Sequence, residues 1–282
     1  MAENCTLGTL YVVGTPIGNL EDMTFRAVRT LQEVDTIAAE DTRHTGKLLH
    51  HFQITTPQIS YHQHNQQSRT AELIAKLQAG NNIALVSDAG MPGISDPGYL
   101  LVKEAIANRI SVIPIPGVSA SLTALTASGL NTDRFVFEGF LPIKGKERRD
   151  RLEAITRETR TIVLYEAPHR LLATLKDLAK VLDNSREIVL ARELTKVHEE
   201  FWRGNIQDAI ALYSGDRQPK GEFTFVIAGN NQATEILLDE EQVKTELQQL
   251  LQQGMTRSQA SRQLAKVSQL SRREIYQLFP EE

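Results

Sequence analysis

The stretch "LVSDAGMPGISDPGYLLVKEA", Leu85 to Ala105, decides how this chain is read. An apolar run stops at Ser87, and three glycines, two prolines and two aspartates follow before a helix begins. Glycine permits backbone conformations closed to other residues and lets a ligand approach closely. Proline holds the chain rigid and offers no donor. Such a loop is shaped to hold something. Asp88 and Asp96 within it either cap turns or accept hydrogen bonds from an amine or a ribose.

Working outward, short apolar runs alternate with helical patterns. "TLYVVG", "TIAAED", "NIALVS" and "ISVIPI" read as strands. "EDMTFRAVRTLQEV" carries Phe25, Val28, Leu31 and Val34 at helical spacing, and "HTGKLLHHF", "TAELIAKLQAG" and "GYLLVKEAIAN" also read as helices. Alternation of this kind predicts an α/β fold with a mostly parallel sheet. A boundary is expected in "LTASGLNTDRF", giving a first α/β domain over residues 1–128. The pattern then restarts. "RFVFEGF", "RTIVLYEA", "REIVLAREL" and "EFTFVIAG" read as strands, with helices in "KERRDRLEAI" and "PHRLLATLKDLAKVL", for a second α/β domain over 129–230. "GNNQATE" is a polar linker. Residues 236–282 then hold three short helical patterns, with Thr256 and Ser271 as caps, and suggest a helix-turn-helix-like module.

The 282 residues carry a net charge of only −4, so any nucleic-acid surface must be a local patch. The single cysteine, Cys5, excludes an internal disulfide and fits a reducing compartment. No signal peptide or long apolar span is evident, and a soluble cytoplasmic protein is expected. His50, His51, His62 and His64 lack a carboxylate or cysteine at ligand spacing, so no metal is expected.

In an open α/β sheet, ligands bind beyond the carboxyl ends of the strands. Four unusual segments stand there: "GTPIGN" (Gly14–Asn19), "EDTRHT" (Glu40–Thr45), the opening loop, and "PGVSAS" (Pro116–Ser121). The first is neither a G-x-G-x-x-G fingerprint nor a Walker A loop. Gly14 and Gly18 alone signify no more than a tight turn; four convergent loops argue for a cleft. Two basic runs are candidate phosphate contacts. "KGKERRDR" holds Lys144, Lys146, Arg148, Arg149 and Arg151 against two acids. The C-terminal helices hold Arg257, Arg262, Lys266, Arg272 and Arg273 against Glu274 alone. The plain alternatives are a solvated helix face and a small capping or dimerisation bundle.

Taken together, "YVVGTPIGNLEDMTFRAV", "AAEDTRHT", "VSDAGMPGISDPG", "PIPGVSA", "FEGFLP", "YEAPHRL", "ARELTKVHEE" and "KGEF" resemble the tetrapyrrole methylase superfamily. Within it, they most resemble the ribosomal RNA small-subunit methyltransferase I family, along essentially the whole chain. Met91 stands where that family more often has threonine. The resemblance implies S-adenosyl-L-methionine in a trough between two α/β domains, with the small helical module appended. Its matching loops imply Gly14, Pro16, Asp88, Ala89, Gly90, Ile94, Ser95, Ser119, Ala120 and Glu166 as cofactor-binding residues.

The implied reaction is methylation of a cytidine ribose 2′-hydroxyl in small-subunit ribosomal RNA, by a homodimer. Candidates for aligning the hydroxyl or removing its proton are Glu40, Asp41, Arg43, Glu193 and Lys196. The other reading of those five is a salt-bridge set across the domain interface. Lys144, Lys146, Arg148, Arg149, Arg151, Arg272 and Arg273 are the expected RNA contacts. Two further readings of the whole chain stay open. One is a methylase of a tetrapyrrole or other small molecule. The other is a non-catalytic RNA-binding protein, which leaves the four loops unexplained.

Overall fold

The computed structural model describes residues 6–183, 185–215, 217–230, 240–265, 268 and 270–278. Cys5 and Lys266 lie outside the described residues.

Each strand of the first half is followed by a helix, as the alternation predicts. The order is β1 (Thr9–Val13), α1 (Phe25–Glu33), β2 (Thr36–Ala39), α2 (Thr42–His51), β3 (Gln58–Ser60), α3 (Gln66–Gln78), β4 (Ile83–Val86), α4 (Tyr99–Ala107) and β5 (Ser111–Ile115). The five strands form one parallel sheet in the order β3-β2-β4-β1-β5. Leu31 of α1 and Leu49 of α2 bury one face of it. Leu73 and Leu77 of α3 and Leu101 of α4 bury the other. From β1 the chain leads toward β2, and from β4 toward β5, in opposite directions along the sheet. Connections that diverge in this way open a crevice at the strands' carboxyl ends.

Helix α5 (Ala120–Ser128) follows β5 and crosses to the other half of the molecule. There β6 (Phe135–Phe140), α6 (Gly145–Arg157), β7 (Thr161–Glu166), α7 (Leu171–Ala179), β8 (Glu187–Arg192), β9 (Glu200–Asn205), α8 (Ile206–Ser214) and β10 (Phe223–Ile227) build a second sheet, in the order β6-β7-β10-β8-β9. Only β6 and β7 pair in parallel; the other neighbours are antiparallel. Strand residues alternate between its two faces. Ile162, Leu164, Phe223 and Phe225 meet α6, α7 and α8, while Val163, Val189 and Val226 meet Ala124 and Leu125 of α5. Arg203 of β9 donates to the carbonyls of Ser128 (3.0 Å) and Ala127 (2.5 Å), placing a cation at the α5 C-terminus where the helix dipole favours one.

The expected boundary at residue 128 coincides with the end of α5, whose Ala124 and Leu125 pack on the second sheet. Phe25 is 97% exposed: Thr24 caps α1, and the buried stripe is Ala27, Thr30 and Leu31. The pattern of the second half gave no assignment to β9 and α8, nor that of the first half to the short edge strand β3.

Beyond the second domain, α9 (Glu240–Gln252), α10 (Arg257–Leu264) and α11 (Arg272–Gln277) pack on one another around Val243, Leu247, Ala260, Leu264 and Ile275. Thr256 and Ser271 both close capping boxes, as their positions suggested.

Because α5 fills one face of the second sheet, Leu125→Ala should leave a cavity there and lower stability by about 2–5 kcal/mol. Urea unfolding followed by the fluorescence of Trp202, the only tryptophan and part of β9, measures this directly.

Candidate active site

Three loops are tied together at the carboxyl edge of the first sheet. Gly14 and Gly117 pass backbone against backbone: a Cβ on either would lie 2.8 Å from the other's Cα. Thr15 and Gly90 exchange backbone hydrogen bonds of 2.9 and 3.0 Å, an isolated bridge between the loops after β1 and β4. Gly90 has φ of +76°, a left-handed conformation that favours glycine. The Thr15 hydroxyl donates to the Ser87 carbonyl at 3.2 Å.

The loops after β2 and β4 are joined by carboxylates. Asp88 accepts from the Asp41 N–H at 3.1 Å, and Glu40 accepts from the Asp88 N–H at 3.3 Å. Asp96 lies close by. Burial pushes its carboxyl up to about 6, with the charges of Glu40 and Asp88 adding to the effect. Burial likewise raises Glu40, partly offset by the Asp88 N–H. Asp41 is the opposite case, because hydrogen bonds from the Arg43 side chain and backbone hold it well below the usual carboxylate range. Its partner is exposed, with Arg43 Nη2 2.9 Å from Asp41 Oδ2.

The second sheet supplies the facing wall. The Ser121 N–H, at the start of α5, donates to the Tyr165 hydroxyl at 3.3 Å, and Ser119 and Ser121 share a hydroxyl bond of 3.0 Å. The rings of Phe137 and Phe140 stand 5.0 and 5.5 Å from that of Tyr165. At the β6 bulge, a Cβ on Gly139 would lie 3.2 Å from Ser95 Oγ. Ile17 packs against the α5 side of the second sheet. A trough floored by first-domain loops therefore faces β6 and β7.

Glu193 and Lys196 form a separate set. Lys196 Nζ lies 2.8 Å from Glu193 and 2.9 Å from Glu222. Burial works against the lysine's charge, but the two carboxylates outweigh it and hold its pKa above the ordinary value. The lysine stem passes directly over Gly18, where any side chain would overlap it. The five catalytic candidates thus divide into Glu40, Asp41 and Arg43 on one domain and Glu193 and Lys196 on the other. Among the described residues, no ion pair of these five crosses the interface; the contact over Gly18 is aliphatic.

Gly14, Pro16, Asp88, Ala89, Gly90, Ile94, Ser95 and Ser119 lie in the loops flooring the trough, and Ala120 opens α5 beside them. Glu166 does not share this environment. It is fully buried, accepts from the Ala167 N–H (2.9 Å) and the Thr174 hydroxyl (2.5 Å), and meets Arg170 at 3.3 Å. These partners consume its carboxylate in joining β7 to α7, so it is a structural residue. Arg148 is also a correction. Its guanidinium is buried against Asp177, the Pro142 carbonyl and Thr174, and it cannot reach a phosphate. Arg151 pairs with Glu138 at 2.7 Å. Lys144, Lys146 and Arg149 are exposed, as are Arg272 and Arg273 on α11. The sequence did not single out Tyr165, and it left Asp96 between capping a turn and accepting a hydrogen bond from a ligand. "YEAP" carried the signal for Tyr165, but its acidic residue drew attention from the aromatic one.

A model of the tetrapyrrole (corrin/porphyrin) methylases matches residues 9–210. The ribosomal RNA small subunit methyltransferase I of Synechocystis sp. is 62% identical over 272 residues, spanning 96% of this chain and 97% of its own. The chain belongs to the tetrapyrrole methylase family, in its ribosomal RNA small subunit methyltransferase I branch. The proteins of that name from Bacillus subtilis and Escherichia coli O157:H7 are 47% and 52% identical, over 97% and 82% of this chain and 94% and 81% of their own. Among solved structures, a uroporphyrin-III C-methyltransferase from Thermus thermophilus superposes with a TM-score of 0.55 at 22% identity, covering 78% of this chain and 94% of its own. Another structure of that enzyme, complexed with S-adenosylhomocysteine, matches at 0.55 and 17% identity, over 78% and 97%. These two share the methylase fold.

The Asp96 carboxyl gives this methylase a pH signature. Its pKa is raised on folding from 3.8 to about 6, so the folded protein favours the protonated form. The stability it contributes is full below about pH 3.8 and is lost as the pH rises through about 6. Asp96→Asn should therefore raise the melting temperature at pH 8 and raise it by a clearly smaller margin at pH 4.5. Thermal unfolding of both proteins at the two pH values checks this.

Proposed function

We propose that this protein transfers a methyl group from S-adenosyl-L-methionine to a ribose 2′-hydroxyl of a cytidine in small-subunit ribosomal RNA. The observation that carries the reading is the near-full-length similarity to relatives named for that RNA, together with a trough whose loops suit the cofactor. The fit rests on the close Gly14–Gly117 backbone approach, and on the hydroxyls of Ser119 and Ser121 and the carboxyl of Asp96. Bound there, S-adenosyl-L-methionine supplies a methyl group on a positively charged sulfonium.

The chain's own residues then orient the acceptor. Gly14, Pro16, the backbone of Ala89 and Gly90, and Ser119 and Ala120 hold the cofactor against the first sheet. Ile94 and Ser95 close toward the β6 bulge. Glu40 is the proposed proton acceptor, because a raised carboxyl pKa brings it nearer to the working pH. Lys196 is held in its charged form by two carboxylates, and its role is to fasten the second domain over Gly18. Arg43, exposed beside the trough, is placed to meet a phosphate. Lys144, Lys146 and Arg149, with Arg272 and Arg273, extend the basic surface for RNA. The protein is proposed to act in the cytoplasm as a homodimer.

Incubation with labelled S-adenosyl-L-methionine and small-subunit particles, followed by mass spectrometry, should place the label on a cytidine ribose. Label on a base, or none, would refute the reading. Changing Lys144, Lys146 and Arg149 to Ala should weaken RNA binding and reduce the slope of log affinity against log salt by about 2. Cofactor affinity, measured on the same variant by calorimetry, should hold.

A further inference from the structure

The same edge of the first sheet holds a second feature. A cavity of about 250 Å³ opens beneath α2, between the loop after β1 and the carboxyl end of β4. Pro16, Leu20 and Leu48 give it apolar walls, and Thr15, Thr45 and Asp88 give it polar ones. His44 and Lys47 line it from exposed positions on α2. Through Pro16 and Asp88 it adjoins the floor of the trough, while Gly117, Ser119 and Tyr165 do not line it.

Size restricts what it holds. Pockets for drug-sized ligands run to about 300–1,000 Å³. A cofactor with an adenine, a ribose and a methionine would overfill this one, whereas a single flat base would not. Apolar residues can take the faces of a base, as apolar pockets do for nucleotides drawn out of a stack.

Polarity restricts it further. An ionised carboxylate only accepts hydrogen bonds. Asp88 uses one oxygen to receive the Asp41 N–H at 3.1 Å, which leaves accepting capacity on the carboxylate. The Thr15 hydroxyl spends its hydrogen on the Ser87 carbonyl at 3.2 Å, so it too offers lone pairs. A base edge bearing an amine suits such walls, and one bearing a carbonyl at that place does not. Carboxylates pair with the cytosine amine for this reason.

We infer that this cavity receives one unstacked RNA base carrying an exocyclic amine, such as cytosine, while Lys47 meets the attached phosphate. The inference rests on the reading that RNA is the substrate. It assigns the cavity, which adjoins the cofactor trough at Pro16 and Asp88, to base recognition.

Ligand-observed NMR on the full-length protein tests it with cytidine and uridine monophosphates. Cytidine monophosphate should bind about tenfold more tightly than uridine monophosphate, the size of one lost base contact. Leu48→Trp, which fills the cavity, should abolish that binding while the dissociation constant for S-adenosyl-L-methionine, by calorimetry, stays unchanged. Lys47→Ala, at an exposed position that folding does not need, should weaken cytidine monophosphate to the affinity of plain cytidine. Equal binding of the two nucleotides, binding that survives Leu48→Trp, or an unaltered Lys47→Ala would overturn the assignment. So would loss of cofactor binding in a folded Leu48→Trp protein. A wild-type protein that methylates small-subunit RNA yet fails these titrations overturns the cavity alone. One that passes them and transfers no methyl group supports the cavity and counts against the methylation.

Discussion

Gly14 and Gly117 come so near that a single methyl group on either would sit 2.8 Å from the other's Cα, inside any real contact distance. The rest of the site depends on this approach. It brings the loop after β5 against the loop after β1, and the Thr15–Gly90 bridge adds the loop after β4 to the same knot. Main chain meets main chain at the join, and the Met91 sulfur packs beside it, 2.7 Å from where a Gly14 Cβ would stand.

The same join determines how the two domains meet. Just past Gly117 the chain starts α5, which leaves the first sheet and seals a face of the second with Ala124 and Leu125. Its N-terminal end is held by Tyr165 and its C-terminal end by Arg203, both from the second sheet. The helix therefore transmits the position of the Gly14–Gly117 contact to the opposite wall of the trough. Ile17 packing across, and the Lys196 stem lying over Gly18, fasten the other side. Carboxylates crowd the floor between them, and burial there lifts Asp96 and Glu40 toward the neutral range.

Much of this was legible in the chain itself. The central β4 strand is an uninterrupted apolar run because both faces of a parallel sheet are buried there. The loops announced themselves through glycine and proline, which have few other uses at strand ends. What escaped were facts about distance in space. Helix α5 looks continuous with the first domain, and only packing shows that it belongs on the second sheet. Arg148 sits in a basic run like its neighbours, yet it points inward to Asp177 and Thr174 while Lys146 and Arg149 point out. Glu166 matched a family motif, but the motif says nothing of which way a carboxylate at a strand end turns. Strand β9 carries Arg203 and Gly204 amid its apolar residues, so its pattern is weak. Phe25 shows the reverse error, since helical spacing alone does not say which phase of a helix is buried.

Hydrogen–deuterium exchange with and without S-adenosyl-L-methionine tests the central claim, that one ligand is held between loops of both domains. The account requires protection on adding the cofactor at residues 14–18, 88–96 and 117–121 of the first domain, and at 137–140 and 165 of the second. Protection confined to one domain, or centred on α6 and α7 away from the Gly14–Gly117 join, would contradict it.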